Sequence, residues 1–201
     1  MKVFAYCSQS AEVSTRRAAG VEPVTCPPTK AASFDVALLE GQDFIYFDLH
    51  GAPGGTEWRG DKRTIALRAE QIRAAKLGGA VVFATNCHLG DANSPMLVAL
   101  LDAGASYVVA GDGLNWAGAQ AVMGAARLGQ LFRIALAFMD PRRALTAAKI
   151  GMQRLVLRHQ HEMVQDTLGF SLFYRPEAPR GATAPGGVVV SKYQTIEEVE
   201  V

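Results

Sequence analysis

Two side chains stand where a thiol nucleophile could meet its general base. His50 closes the approach DFIYFDLHG, residues 43–51, and Cys87 follows the apolar run of GGAVVFATNCHLG, residues 78–90. A thiol must lose its proton before it attacks a carbonyl, and an imidazole beside it can take that proton or stabilise the thiolate. The tetrahedral intermediate then needs donors for its oxyanion. Gly51, whose N–H is open to close approach, and the N–H of Cys87 itself are the candidate donors. The plainer alternative makes Cys87 one more small buried residue and His50 an ordinary strand-end histidine.

Further residues are candidates for substrate contact. Asp48 lies two before His50, so on a strand the two share a face. A carboxylate there could line a pocket for a basic substrate group, or be satisfied by neighbouring backbone amides. Asp112 in GDGLNW offers the same chemistry at another strand end, or is a turn aspartate before glycine. Trp116 is a candidate wall of the substrate groove, or a core tryptophan. His88 follows Cys87 directly and is expected to point away from it, which leaves His50 as the base. Cys7 ends the first apolar stretch, near the expected pocket rim. Cys26, before Pro27 and Pro28, reads as structural. The three cysteines share no CxxC spacing, so neither a metal site nor a disulfide framework is expected.

The elements that must position these groups alternate. KVFAY, residues 2–6, and VEPVTC, residues 21–26, read as short strands, and residues 32–39 as a helix with Ser33 as its cap. FIYFDL follows, uninterrupted by polar residues until Asp48, as a strand covered on both faces must be. Residues 51–64 read as a glycine-rich loop and 67–77 as a helix. AVVFAT, residues 80–85, reads as a second buried strand. Ser94-Pro95 opens a helix, ASYVVAG at 105–111 is a third strand, and residues 116–138 are helical. A helix from Asp140-Pro141 to about residue 165 and a strand at 167–174 complete the series. VVVSKY, residues 188–193, is a candidate edge strand.

Such alternation predicts an α/β fold of three layers, a mostly parallel central sheet with helices on both faces. Ligands of open sheets bind beyond the carboxyl ends of the strands. His50, Cys87 and Asp112 all fall there. The expected organisation is one domain over residues 1–201, with a core of about 1–175 and a tail of 176–201.

Composition narrows the function classes. Of 201 residues, 49% are hydrophobic and 19% charged, a globular balance that is long enough for a sizeable core. The net charge of +1 carries no bulk signal for nucleic acid. No run is apolar enough for a leader or a membrane span, so a cytoplasmic protein with reduced thiols is expected.

The order of these stretches resembles the caspase-like cysteine peptidases of clan CD, most closely their CHAT-domain branch. The resemblance covers about residues 35–175: LHG at 49–51, LRAEQIRAAKLGGAVVFATNC at 67–87, LLDAGASYVVAGDGLNW at 100–116, ALTAAKIGMQRL and GFSLFY. It implies a caspase-like fold and a His/Cys dyad at His50 and Cys87. It also implies peptide-bond hydrolysis without a cofactor, acting on a protein or peptide substrate. Thr85 stands two before the cysteine, where caspases carry Gln and metacaspases an acidic residue, so caspase-type Asp specificity is not implied. The helical-repeat domain that often accompanies a CHAT domain is not read in the chain, so substrate delivery or activation is expected from a separate regulatory or adaptor protein, or from the short C-terminal tail. The competing reading is a catalytically silent scaffold of the same fold that serves as an interaction module. A glutamine amidohydrolase ranks below both, because its histidine lies downstream of a glycine-flanked cysteine.

Overall fold

The computed structural model describes residues 1–159, 169–175 and 194–195. In chain order these form β1 (Val3–Ser8), α1 (Glu12–Ala19), β2 (Val24–Cys26), β3 (Phe44–Asp48), β4 (Glu57–Arg59), β5 (Ile65–Arg68), α2 (Ala69–Ala74) and β6 (Val81–Ala84). Next come α3 (Pro95–Asp102), β7 (Tyr107–Gly111), α4 (Gly124–Leu136), α5 (Pro141–His159), β8 (Phe170–Tyr174) and β9 (Gln194–Thr195). The main sheet runs β2-β1-β3-β6-β7-β8-β9. Its first five strands are parallel, while β8 is antiparallel to β7 and β9 to β8.

Each central strand is buried on both faces, which is why its sequence is apolar without alternation. One face carries Ile45, Phe47, Val82 and Val108 against Leu67, Ile72, Leu97 and Leu100, on the side of α2 and α3. The other carries Tyr46, Phe83, Val109 and Phe170 against Ala18, Leu128, Phe132 and Met152, on the side of α1, α4 and α5. On this second face Phe83 stacks on Tyr46 at 5.6 Å and on Phe170 at 5.5 Å. Gly129 lets α4 settle on this aromatic row, since a Cβ there would lie 2.7 Å from both Phe83 and Tyr46. The expected three layers are present.

Register aligns the two reactive exits. β3 pairs with β6 as Phe44↔Val81 through Phe47↔Ala84. His50 and Cys87 each lie three residues beyond that last pair, so both emerge at the same sheet edge.

Several elements differ from expectation. Residues 32–39 form two short 3-10 turns, Ala31–Ser33 and Val36–Leu39, because Asp35 breaks the run and accepts the Ala37 N–H at 3.0 Å. The expected loop 51–64 holds β4, which forms an antiparallel hairpin with β5 and buries Trp58 against Phe47, ring centroids 4.8 Å apart. Leu67 therefore belongs to a strand, and α2 is shorter than its helical pattern. Residues 116–123 are not helical; α4 starts at Gly124. Asp140 caps α5 as its sequence suggests, accepting the N–H groups of Arg142 and Arg143 at 3.0 and 3.1 Å. The candidate edge strand at 188–193 lies outside the described residues. No helix among the described residues is long and apolar enough to cross a membrane.

Candidate active site

β3 and β6 are stitched together just past their ends. The Thr85 N–H donates to Phe47 O at 2.9 Å, and the Leu49 N–H donates to Asn86 Oδ1 at 3.1 Å. Beyond this, Gly51 lies against the main chain of Cys87, and any Cβ at Gly51 would collide with the Cys87 carbonyl oxygen. Only glycine permits so close an approach, so the residue after the histidine is fixed beside the cysteine. Among the described residues the N–H groups of Gly51 and Cys87 have no acceptor.

The thiol and the imidazole have separate partners. Cys87 Sγ receives the Asn115 N–H at 3.4 Å and lies 3.7 Å from Asn115 O, to which its S–H can donate. Asn115 is fixed in turn by its Nδ2, which donates to Asn86 O at 2.9 Å. His50 is 64% exposed, and its Nε2 lies 3.8 Å from Asp61 Oδ1. Its main chain bridges Arg59 in both directions, at 2.7 and 3.0 Å. His50 and Cys87 share no side-chain hydrogen bond among the described residues.

Asp48 lies beneath this edge rather than in it. It is only 7% exposed, and its oxygens accept the Thr15 and Thr85 hydroxyls at 2.9 and 2.7 Å. Burial raises its carboxyl above the ordinary value, while the two hydroxyls and His50 oppose that shift. This corrects the expectation that Asp48 lines an open pocket: both of its oxygens are already satisfied. Cys7, expected near the pocket rim, is fully buried beside Thr15, and burial pushes its thiol up to about 12.

Asp112 is exposed just past the end of β7. Trp116 is 61% exposed, which excludes the core alternative. Trp116 adjoins Asn115, the residue that holds the thiol, and Asp112 lies three residues before it. His88 turns away, as expected: it adopts φ +60, and its Nδ1 lies 2.8 Å from Asp91 Oδ2. The Gly113 N–H, together with His88, holds Asp91 below the ordinary carboxylate range.

Asn86, Asn115, Asp61 and Thr15 were not legible as site residues. Asn86 adjoins Cys87 in sequence and Asn115 adjoins Trp116, and those adjacencies are the available signals. Asp61 and Thr15 reach the site through contacts distant along the chain.

No family model and no curated protein matches the chain. A solved structure does match: the Arg specific cysteine proteinase gingipain R, with a TM-score of 0.54 at 12% identity. The match covers 84% of this chain and 45% of that one. The fold is caspase-like. The chain spans under half the length of the proteinase chain it matches, and at this identity the caspase-like likeness speaks for architecture alone.

Proposed function

We propose that the protein is a caspase-like cysteine endopeptidase in which His50 and Cys87 form the dyad. The observation that carries this reading is Gly51 lying on the main chain of Cys87, with both N–H groups left without acceptors among the described residues. His50 takes the Cys87 proton, and the thiolate attacks the scissile carbonyl carbon. The N–H groups of Gly51 and Cys87 receive the oxyanion. The imidazolium gives its proton to the leaving amine, and water, deprotonated by His50, then hydrolyses the thioester. The chemistry requires no cofactor.

Trp116 walls the groove, and Asp112, exposed at the end of β7, meets a basic P1 side chain. Asp48 supports the floor through Thr15 and Thr85. The Arg specificity of gingipain R is consistent with this preference. On its motif order we place the chain with the CHAT-domain branch, acting on a protein or peptide with activation supplied by a separate regulatory chain. Nothing in this chemistry calls for nucleic acid or a membrane.

One observation favours a second reading. Cys87 Sγ is held by Asn115 and not by His50, as a silent scaffold used as an interaction module would allow. Hydrolysis of a P1-varied peptide library separates the two. The peptidase reading expects cleavage by the wild type that is lost in Cys87→Ala and His50→Ala. Cleavage that survives Cys87→Ala overturns it.

A further inference from the structure

The geometry points to Asp61 as the positioning carboxylate of His50, a third member that orients the base of the proposed dyad. This inference rests on the peptidase reading for its purpose, although the positioning itself can be observed without it.

Asp61 Oδ1 stands 3.8 Å from His50 Nε2, an ion-pair separation. The carboxylate is anchored from the other side by Ser10, just beyond β1, whose N–H and hydroxyl donate to its two oxygens at 2.6 and 2.8 Å. His50 is held from the same hairpin, because its main chain pairs with Arg59, two residues before Asp61. Base and carboxylate therefore belong to one hydrogen-bonded unit. The turn that presents Asp61 is closed by the Gly60 N–H on Thr64 O at 2.8 Å and the Thr64 N–H on Asp61 O at 3.1 Å. It forces Lys62 and Arg63 to φ +53 and +58. Consecutive non-glycine residues in that region are uncommon and are found where surrounding structure imposes them, often at functional sites.

An exposed imidazole with no fixed partner samples both tautomers. A carboxylate beside Nε2 favours the proton there and leaves Nδ1 as the unprotonated nitrogen. When Nδ1 takes the Cys87 proton, a thiolate and an imidazolium form, and the Asp61 charge compensates the imidazolium. Of the charged groups, Asp61 stands beside the His50 ring and Asp48 lies beneath it, while Arg59, Lys62 and Arg63 belong to the same hairpin as Asp61. Arg59 is paired with Glu57 at 2.5 Å.

The test uses the full chain labelled with 15N histidine. Wild type is expected to show the Nε2–H tautomer of neutral His50. Asp61→Asn keeps two bonds to Ser10, the amide oxygen accepting the N–H and the amide nitrogen donating to the hydroxyl, so it removes the charge while sparing the anchor. It is expected to bring the two ring-nitrogen shifts together and to slow Cys87 alkylation about tenfold, less than the ~10²–10⁴ that a whole general base contributes. Ser10→Ala, which loosens the anchor without removing the carboxylate, is expected to fall between. Ring shifts unchanged in Asp61→Asn overturn the proposal, whatever the rate does. A tautomer shift in a chain that cleaves no peptide upholds the positioning and removes the peptidase reading instead.

Discussion

Asn86 Oδ1 accepts the Leu49 N–H at 3.1 Å, so the residue before the cysteine ties down the residue before the histidine. Both residues are buried, and the bond replaces the ladder that β3 and β6 give up at their ends. Asn86→Ala leaves the Leu49 N–H buried without its acceptor and should cost about 1–3 kcal/mol. Chemical denaturation measures the loss, and hydrogen exchange locates it at the Leu49 amide. Unchanged Leu49 protection would show that the stitch is dispensable.

Gly51→Ala should damage the site through a steric route. Its Cβ meets the Cys87 carbonyl oxygen, a main-chain atom that cannot swing aside. The strain should destabilise the fold by roughly 1–3 kcal/mol, as overpacked positions do. The same substitution should depress alkylation of Cys87. Wild-type stability and reactivity together in Gly51→Ala would mean that the two exits do not touch in solution.

Asp48 predicts a pH dependence of stability. Burial raises its carboxyl in the folded chain, against the bonds from Thr85 and Thr15. The folded chain therefore keeps this proton to higher pH than the unfolded chain, whose group titrates near the ordinary 3.8. The contribution of Asp48 is complete below that value and is lost as pH rises through the folded one. Stability of the wild type should fall relative to Asp48→Asn across that window, measured by urea denaturation at a series of pH values. A wild type that gains on Asp48→Asn over the same window contradicts the assignment.

The P1 preference should follow Asp112 and ignore Asp48. Asp112→Asn should lower kcat/KM for Arg and Lys at P1 by about 10–100-fold, the worth of one hydrogen bond to a charged group. Apolar P1 peptides should be unaffected, and Asp48→Asn should leave the P1 profile unchanged. A basic preference that persists in Asp112→Asn removes this pocket.

The central sheet could be read from sequence because strands covered on both faces carry unbroken apolar runs. Phe44–Asp48 and Val81–Ala84 do so, and each run points to the reactive residue beyond it. The hairpin of β4 and β5 could not be read this way. Glu57–Arg59 offers one apolar residue between two charged ones, and it is held by Trp58 packing on Phe47 and by the His50–Arg59 bridge. Strand alternation likewise placed Asp48 on the face of His50 but said nothing of what packs opposite. Its partner Thr15 lies on α1, which only the fold brings to it. Asn115 shows the same limit, since its main chain meets Cys87 Sγ from a stretch after β7 that carries no periodic pattern, and residues 116–123, which the pattern reads as helix, are not helical.

The claim that Cys87 and His50 work as a pair is tested most directly by the rate of Cys87 alkylation against pH. Cys7 and Cys26 are buried and free, so they serve as internal references. The dyad predicts that Cys87 reacts faster than both and that His50→Ala abolishes this advantage. A Cys87 that reacts no faster than Cys7 and Cys26, or that is indifferent to His50→Ala, contradicts it.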